Sequence, residues 1–194
     1  MSFQEFVYFL CGSLFKNEKI LIYCMSLENY VAERIMNHSV SIAKGKFSDL
    51  ESARKQLEKV PWEFKCDLYD DVQDFFIYKE NGKIGHISWL YYMGDPNRIL
   101  RLGDEEAEVK FCLTLPEHRG KGLYPAALKV IQGYLKDRGY RRCFICVKDD
   151  NVSSIRGIEK SGYRLAGSVR VRKIFGVQAS RRRDTRHLRG SEVV

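Results

Sequence analysis

The stretch LTLPEHRGKGLYPAAL, residues 113–128, decides the fold of this chain. The segment AEVKFCLTL at 107–115 leads into it and predicts a strand that Pro116 closes. From Leu123 onward, apolar residues recur at the spacing of a one-sided helix. Residues 141–148 then contain a continuous apolar run, which predicts a buried parallel strand. A strand, a helix and a second strand make one βαβ unit.

The loop between the first strand and the helix is Arg119-Gly120-Lys121-Gly122-Leu123-Tyr124. Free backbone N–H groups and the dipole at a helix start favour a negative charge. Gly120 and Gly122 let the backbone approach a ligand closely, and Arg119 and Lys121 add positive charge. Taken alone, the loop predicts either a pyrophosphate site or an ordinary strand-to-helix turn.

Further elements are predicted on both sides of this unit. Residues 19–27 predict a buried strand and residues 47–59 an amphipathic helix. Residues 74–92 predict a hairpin about an Asn-Gly pair, which tolerates the positive φ angles of a two-residue turn. A short helix begins after Asn151, and residues 163–175 predict the final strand or strand pair.

Composition describes an ordinary globular protein. The 194 residues are 44% apolar and 30% charged, which excludes disorder for the chain as a whole and suits one domain with or without an extension. The start lacks a positive leader, and the apolar stretch at 6–15 is too short to span a bilayer, so we expect a cytoplasmic, non-membrane protein. Six cysteines in mainly apolar runs suit a reducing compartment.

Two charged or reactive features have alternative explanations. The net charge of +8 is concentrated at residues 164–190, where nine basic residues and one acidic residue give 9 − 1 = +8. This basic run predicts a solvated or oligomer-contacting tail, or a site for nucleic acid or an acidic partner. Cys143 and Cys146 form a CxxC, but inside a predicted strand they point to opposite faces, so no metal site is expected.

Three segments together resemble the acetyl-CoA core of the GNAT superfamily of N-acetyltransferases: residues 113–128, RGYRRCFICV at 138–147 and NVSSIRGIEKSGY at 151–163. The first motif of that family is Gln/Arg-x-x-Gly-x-Gly/Ala. Arg119 and Gly122 match its first and fourth positions, and Tyr124 departs from its sixth.

The second motif of the family begins with an Asn and ends in Gly-Phe or Gly-Tyr, as Asn151 and Gly162-Tyr163 do here. The resemblance implies an α/β fold of mixed α+β type. In it, helices flank a central mixed sheet that contains a parallel, splayed strand pair. We expect three parts of the chain: residues 1–60 as the N-terminal part of the domain or an extension without a firm boundary, an acyl-CoA-binding core at 61–178 and a basic C-terminal tail at 179–194.

The implied reaction is transfer of an acetyl group from acetyl-CoA to the primary amine of a small molecule or peptide. The pantetheine arm would insert between the splayed strands, and the loop would hold the pyrophosphate. Asn151 and Ser154 would face the arm, or serve as a helix cap and a surface serine. The implied cofactor-binding residues are Leu113 and Leu115, through their backbones, and Arg119, Gly120, Lys121, Gly122, Leu123, Tyr124, Asn151 and Ser154.

The implied base is Glu108, alone or through a water, and the alternative is an exposed glutamate at a strand end. Strand alternation puts Lys110, Cys112 and Thr114 on its face, where they line the acceptor side or the core. Candidates for the acceptor pocket are aromatic or acidic residues that are equally suited to the core: Trp62, Glu63, Phe64, Trp89, Tyr91 and Tyr92.

Many members of the family carry a Tyr that protonates the departing thiolate, and here that position is Ile158. Ile158 therefore leaves open a non-catalytic domain that binds acyl-CoA. Independently of Ile158, the arginine-rich run leaves open a nucleic-acid-binding protein. A homodimer also stays open.

Overall fold

The computed structural model describes residues 15–28, 30, 41–96, 99–174 and 177–184. The strands in these ranges are β1 (Phe15–Ser26), β2 (Ile42–Lys44), β3 (Asp74–Glu80), β4 (Lys83–Tyr91), β5 (Glu106–Thr114), β6 (Arg142–Lys148), β7 (Arg164–Ile174) and β8 (Val177–Asp184). The helices are α1 (Phe47–Gln56), α2 (Cys66–Asp70), α3 (Leu123–Asp137) and α4 (Val152–Lys160), with single 3-10 turns at Trp62–Phe64 and Pro116–His118.

The eight described strands form one sheet in the order β2-β3-β4-β5-β6-β1-β7-β8. Strands β5 and β6 pair in parallel, and the other described neighbours are antiparallel. Strand β1 lies in the middle, where Ile20 is opposite Lys148 on β6 and Val169 on β7. The predicted mixed sheet with a parallel pair is confirmed.

Strands β5 and β6 separate part-way along their length. Their pairing runs from Glu106 opposite Arg142 to Val109 opposite Ile145, although both strands continue further. Just beyond this point Phe111 has a φ of 47°, and the register of β5 on β4 shifts. A bulge of this kind bends the strand that carries it, so β5 turns away from β6 and leaves a gap.

The two faces of the sheet bury separate cores. On one face α3 packs Leu128, Ile131 and Leu135 against side chains that include Val109 and Ile145 from the paired part of β5 and β6. Each such side chain contributes about 1.5–3 kcal/mol on burial. This core fixes the start of α3 beside the gap. On the other face α1 covers the aromatic residues of the hairpin.

The predicted hairpin is confirmed as β3 and β4, and its turn has Asn81 at φ 51° and Gly82 at φ 75°. Strand β2 and helix α2 were not predicted from the sequence. The range predicted as a basic tail begins inside β8, while residues 1–14 and 185–194 lie outside the described residues. None of the helices in the described part of the chain is long and apolar enough to cross a membrane.

Candidate functional site

A cleft of about 680 Å³ opens on the α3 side of the sheet, beside the separated part of β5. Its walls come from the end of β5, the loop that follows, the first residues of α3 and α4, and one residue of β4. The lining residues are His86, Cys112, Leu113, Thr114, His118, Arg119, Gly120, Gly122, Leu123, Tyr124, Pro125, Asn151, Ser153, Ser154 and Gly157. Most of the residues expected at the cofactor are therefore neighbours, and Leu115 and Lys121 lie outside this lining.

The loop before α3 has the backbone that an anion site requires. Gly120 and Gly122 have φ angles of 77° and 70°, which glycine adopts without strain. A Cβ added at either position would meet no heavy atom of the described residues within 4 Å, so packing alone does not demand glycine there. Gly122 is the N-cap of α3, and no described side chain caps that helix end. The N–H groups of its first turn are suited to a phosphate.

The two cations of the loop have different roles. Arg119 lines the cleft, and its Nε donates to the carbonyl oxygen of Thr114 at 3.3 Å. Lys121 turns to Glu80, and its Nζ lies 3.3 Å from each carboxylate oxygen. A surface ion pair of this kind contributes about 0–1 kcal/mol, so an arriving phosphate would easily compete for the lysine.

The expected backbone contacts of Leu113 and Leu115 are corrected by the register of β5. The N–H of Leu115 donates to the carbonyl oxygen of Gly85 on β4 at 3.0 Å. Alternate residues of a strand direct their backbone groups to the same neighbour, so Leu113 also faces β4. Cys112 and Thr114 alternate with these two residues along β5. Their backbone groups therefore point away from β4, into the gap between β5 and β6. The prediction was wrong by one residue.

The bulge also corrects the face on which two of these side chains lie. Glu108 and Lys110 were expected to share a face with Cys112 and Thr114. Instead, Lys110 lies over the ring of Tyr91, at 4.1 Å, in the α1-side core, whereas Cys112 and Thr114 line the cleft on the other face. One extra residue in a strand reverses the alternation beyond it.

Glu108 is 1% exposed, so its interpretation as an exposed strand-end glutamate is wrong. It lies opposite Phe144 on β6, one residue before the pairing ends, and opposite Tyr91 on β4. It is outside the cleft lining, because it points to the opposite face of the sheet. A carboxylate is thus buried next to the gap, on the side away from the glycine loop.

Asn151 lies at the start of α4 with a clear structural role. Its Oδ1 accepts from the backbone N–H of Ser154 at 3.2 Å and from the hydroxyl of Ser153 at 3.1 Å. Asn151 is therefore the helix cap, and it lines the cleft as well. The cap leaves its amide NH2 group as a donor for a ligand.

His86 was not predicted as a site residue. It is 1% exposed, with Nδ1 at 2.7 Å from Thr114 Oγ1 and Nε2 at 2.8 Å from Ser88 Oγ. Burial lowers its pKa from the ordinary 6.5 to about 4, so the imidazole is neutral at neutral pH. The available signal was a His and a Ser two residues apart on one face of an otherwise apolar strand.

Four of the aromatic candidates for the acceptor pocket separate into two groups, whereas Tyr92 lies apart from both and packs against the core on the α3 face. Phe64, Trp89 and Tyr91 are at most 1% exposed and belong to the core. Trp62 is 45% exposed and stacks on Tyr69, with ring centroids 4.3 Å apart. Its ring centroid is 6.4 Å from that of Phe111 at the bulge. An accessible aromatic surface therefore lies on the face of the sheet that carries Glu108.

A model of the acetyltransferase (GNAT) family matches residues 36–163, two thirds of the chain. The chain belongs to this family. The match covers the hairpin, the glycine loop and both helices of the cleft. Among curated proteins, none matches the sequence significantly.

Solved structures have the same GNAT fold. An acetyltransferase of the GNAT family from Colwellia psychrerythraea is 18% identical, with a TM-score of 0.58 over 87% of this chain and 61% of that one. A GCN5-related N-acetyltransferase from Sphaerobacter thermophilus is 11% identical, with a TM-score of 0.55 over 95% of this chain and 58% of that one. This chain thus spans about three fifths of each.

A third structure is the GCN5-related glucosamine N-acetyltransferase region of a fungal multi-domain GH3 β-N-acetylglucosaminidase. It is 14% identical, with a TM-score of 0.63 over 87% of this chain and 22% of that one. At these identities the likeness shows the fold and not the acceptor.

The first prediction concerns Gly122. Gly122→Val should weaken acetyl-CoA binding at least about tenfold, because a branched side chain is strained at positive φ and blocks access to the helix N-terminus. Calorimetry measures this. Gly82→Val is the matched control, since Gly82 has a similar φ of 75° and open space around it but lies outside the cleft lining. Equal affinity in the two variants would contradict the assignment of the loop.

The second prediction concerns pH. In the unfolded chain His86 becomes protonated below about pH 6.5, whereas in the folded protein it stays neutral until about pH 4. Falling pH therefore favours unfolding across this window, by at most about 3 kcal/mol in total. His86→Gln should flatten the dependence of unfolding free energy on pH between 6.5 and 4, measured by urea titration. An unchanged slope would mean that His86 is not buried as a neutral group.

Proposed function

We propose that this protein is an N-acyltransferase that moves an acetyl group from acetyl-CoA to a primary amine. Membership of the GNAT acetyltransferase family supports acyl transfer in general. The observation that carries the specific proposal is the position of the cleft, because a loop whose backbone is suited to an anion lies directly beside the gap between β5 and β6. A thioester in this gap would be reachable from both faces of the sheet.

In this proposal the pyrophosphate of acetyl-CoA binds the N-terminus of α3 through the backbone of Gly120 and Gly122 and the guanidinium of Arg119. The pantetheine arm lies along the backbone of Cys112 and Thr114, whose polar groups face the open side, as an added strand would. Asn151 donates to it from α4. The cleft volume of about 680 Å³ suits an extended ligand of this size.

The amine attacks the thioester carbonyl from the opposite face. Glu108 accepts a proton from the attacking nitrogen, directly or through a water, since it is buried beside the gap on that face. A backbone N–H on the open side of β5 stabilises the oxyanion. The stacked rings of Trp62 and Tyr69 would guide a cationic amine of a small molecule or peptide toward the gap.

Two measurements test the function. Acetyl-CoA binding is measured by calorimetry, and thiol release from acetyl-CoA is then followed with spermidine, tyramine, glucosamine and peptides bearing a free N-terminus or a lysine. We expect binding together with release that depends on one class of amine. Binding without release on any amine would favour a non-catalytic acyl-CoA-binding domain, and no binding would contradict both.

The third prediction concerns the base. Glu108→Gln should lower kcat by about two to four orders of magnitude while the affinity for acetyl-CoA changes little. Glu106→Gln is the control, because Glu106 is also buried on β5 but pairs with Arg142 at 2.5 Å, away from the gap. If Glu108→Gln keeps the wild-type kcat at saturating amine, the base must be sought elsewhere.

The fourth prediction separates the two roles of Asn151. Asn151→Asp preserves a good cap and should leave the free energy of unfolding within about 0.5 kcal/mol. It removes the NH2 donor and adds a negative charge, so acetyl-CoA affinity should fall about tenfold. Urea titration and calorimetry measure the two effects. An unchanged affinity would restrict Asn151 to its cap.

A further inference from the structure

Two positions at which the sequence departs from the family pattern come together in space. Tyr124 occupies the second residue of α3, and Ile158 lies on α4 where many family members have a tyrosine. Ile158 is fully buried, and its core includes the ring of Tyr124. A Cβ on Gly157 would lie 2.7 Å from Cδ1 of Tyr124, so Gly157 is the residue that makes room for this ring.

The side chain of Tyr124 lies next to a sulfur atom. It interacts electrostatically with the thiol of Cys112, and both residues line the cleft. Cys112 immediately follows Phe111 at the bulge, and its backbone faces the gap. A phenol therefore stands beside the place where the thioester sulfur of acetyl-CoA is proposed to lie.

The protonation states suit proton donation to sulfur. Burial raises the pKa of Tyr124 well above its ordinary value, so the hydroxyl keeps its proton throughout the neutral range. Burial also raises the pKa of the Cys112 thiol, from 9.0 to about 12. A thiolate released in the same surroundings would be poorly solvated and correspondingly basic, which makes a neighbouring donor effective.

We propose that Tyr124 is the catalytic residue that protonates the departing thiolate of coenzyme A. This inference rests on the proposed acetyl transfer. The amine first loses its ammonium proton to water; the C–N bond then forms as the neutral amine attacks, and the nitrogen gives a second proton to Glu108. The C–S bond then breaks, its electron pair goes to sulfur, and sulfur takes the proton of the Tyr124 hydroxyl. Water returns the proton from Glu108 to the phenolate, so amide and free coenzyme A are the products.

The test compares kcat and acetyl-CoA affinity in tyrosine variants, with the panel amine that gives the highest turnover. Tyr124→Phe keeps the ring against Gly157, so affinity should stay within about threefold while kcat falls by about two to four orders of magnitude. Tyr134→Phe is the matched control, since Tyr134 is on the same helix and donates instead to Asp74 at 2.9 Å. It should keep the wild-type kcat.

Two further variants distinguish proton donation from packing. Ile158→Tyr in the Tyr124→Phe background restores a phenol beside the same ring. The double variant should have a kcat at least about tenfold higher than that of Tyr124→Phe. Gly157→Ala displaces the phenol without removing it, so it should lower kcat in the wild type but not further in Tyr124→Phe. These outcomes would support the assignment even if one variant folded poorly.

The outcomes also separate this inference from the proposed function. An active wild type whose kcat is unchanged by Tyr124→Phe overturns the role of Tyr124 and leaves acetyl transfer intact. If Tyr124→Phe weakens acetyl-CoA binding but leaves kcat unchanged, the role of Tyr124 is also overturned, because the ring would then act through packing. A wild type that releases no thiol with any amine overturns both.

Discussion

The bulge in β5 is the constraint on which the candidate site depends. Phe111 is held at a φ of 47°, a conformation that costs a non-glycine residue about 1–2 kcal/mol. Its ring packs against Tyr91 and Trp62, with centroids 5.8 and 6.4 Å away, and these contacts oppose the strain. If the strand were regular, β5 would stay paired with β6 and the sheet would have no gap beside the glycine loop.

The same bulge distributes the chemistry over two faces. Before it, Glu108 points to the α1 side, and after it Cys112 points to the α3 side. The packing of Leu128 and Ile131 then fixes the start of α3 over the gap. A rigid core on the α3 face thus positions the loop, while the strained residue opens the strand pair beneath it. Both are needed, since a loop without a gap would bind phosphate far from any reacting bond.

The βαβ unit and its loop could be predicted from the sequence because their signals are local. The helical spacing after Leu123, the closing Pro116 and the two loop glycines all lie within a few residues of each other. The bulge could not be predicted, since residues 107–115 have the composition of a regular strand and a positive φ at phenylalanine has no sequence signature. Its effect was large, because one extra residue moved Cys112 and Thr114 to the other face.

Other parts of the structure depend on contacts between distant segments. The run at 19–27 was recognisable as a strand, but its place between β6 and β7 depends on pairings that propensity does not encode. The backbone contacts of Leu113 and Leu115 were assigned one residue out of register for the same reason. His86 was not predicted as a site residue, because its position at the cleft depends on hydrogen bonds to Thr114 and Ser88 that become known only from the fold.

The sequence departures at Tyr124 and Ile158 looked independent until the fold placed them side by side. A large residue at the sixth loop position would crowd α4 if residue 157 had a side chain, and Gly157 removes that conflict. If Tyr124 is the proton donor, a second phenol at position 158 is unnecessary, and Ile158 fills the core. Because Glu108 and Tyr124 lie on opposite faces of β5, the amine would lose its proton on one face while sulfur gains one on the other. The proposed base and the proposed acid would therefore approach the thioester from opposite sides.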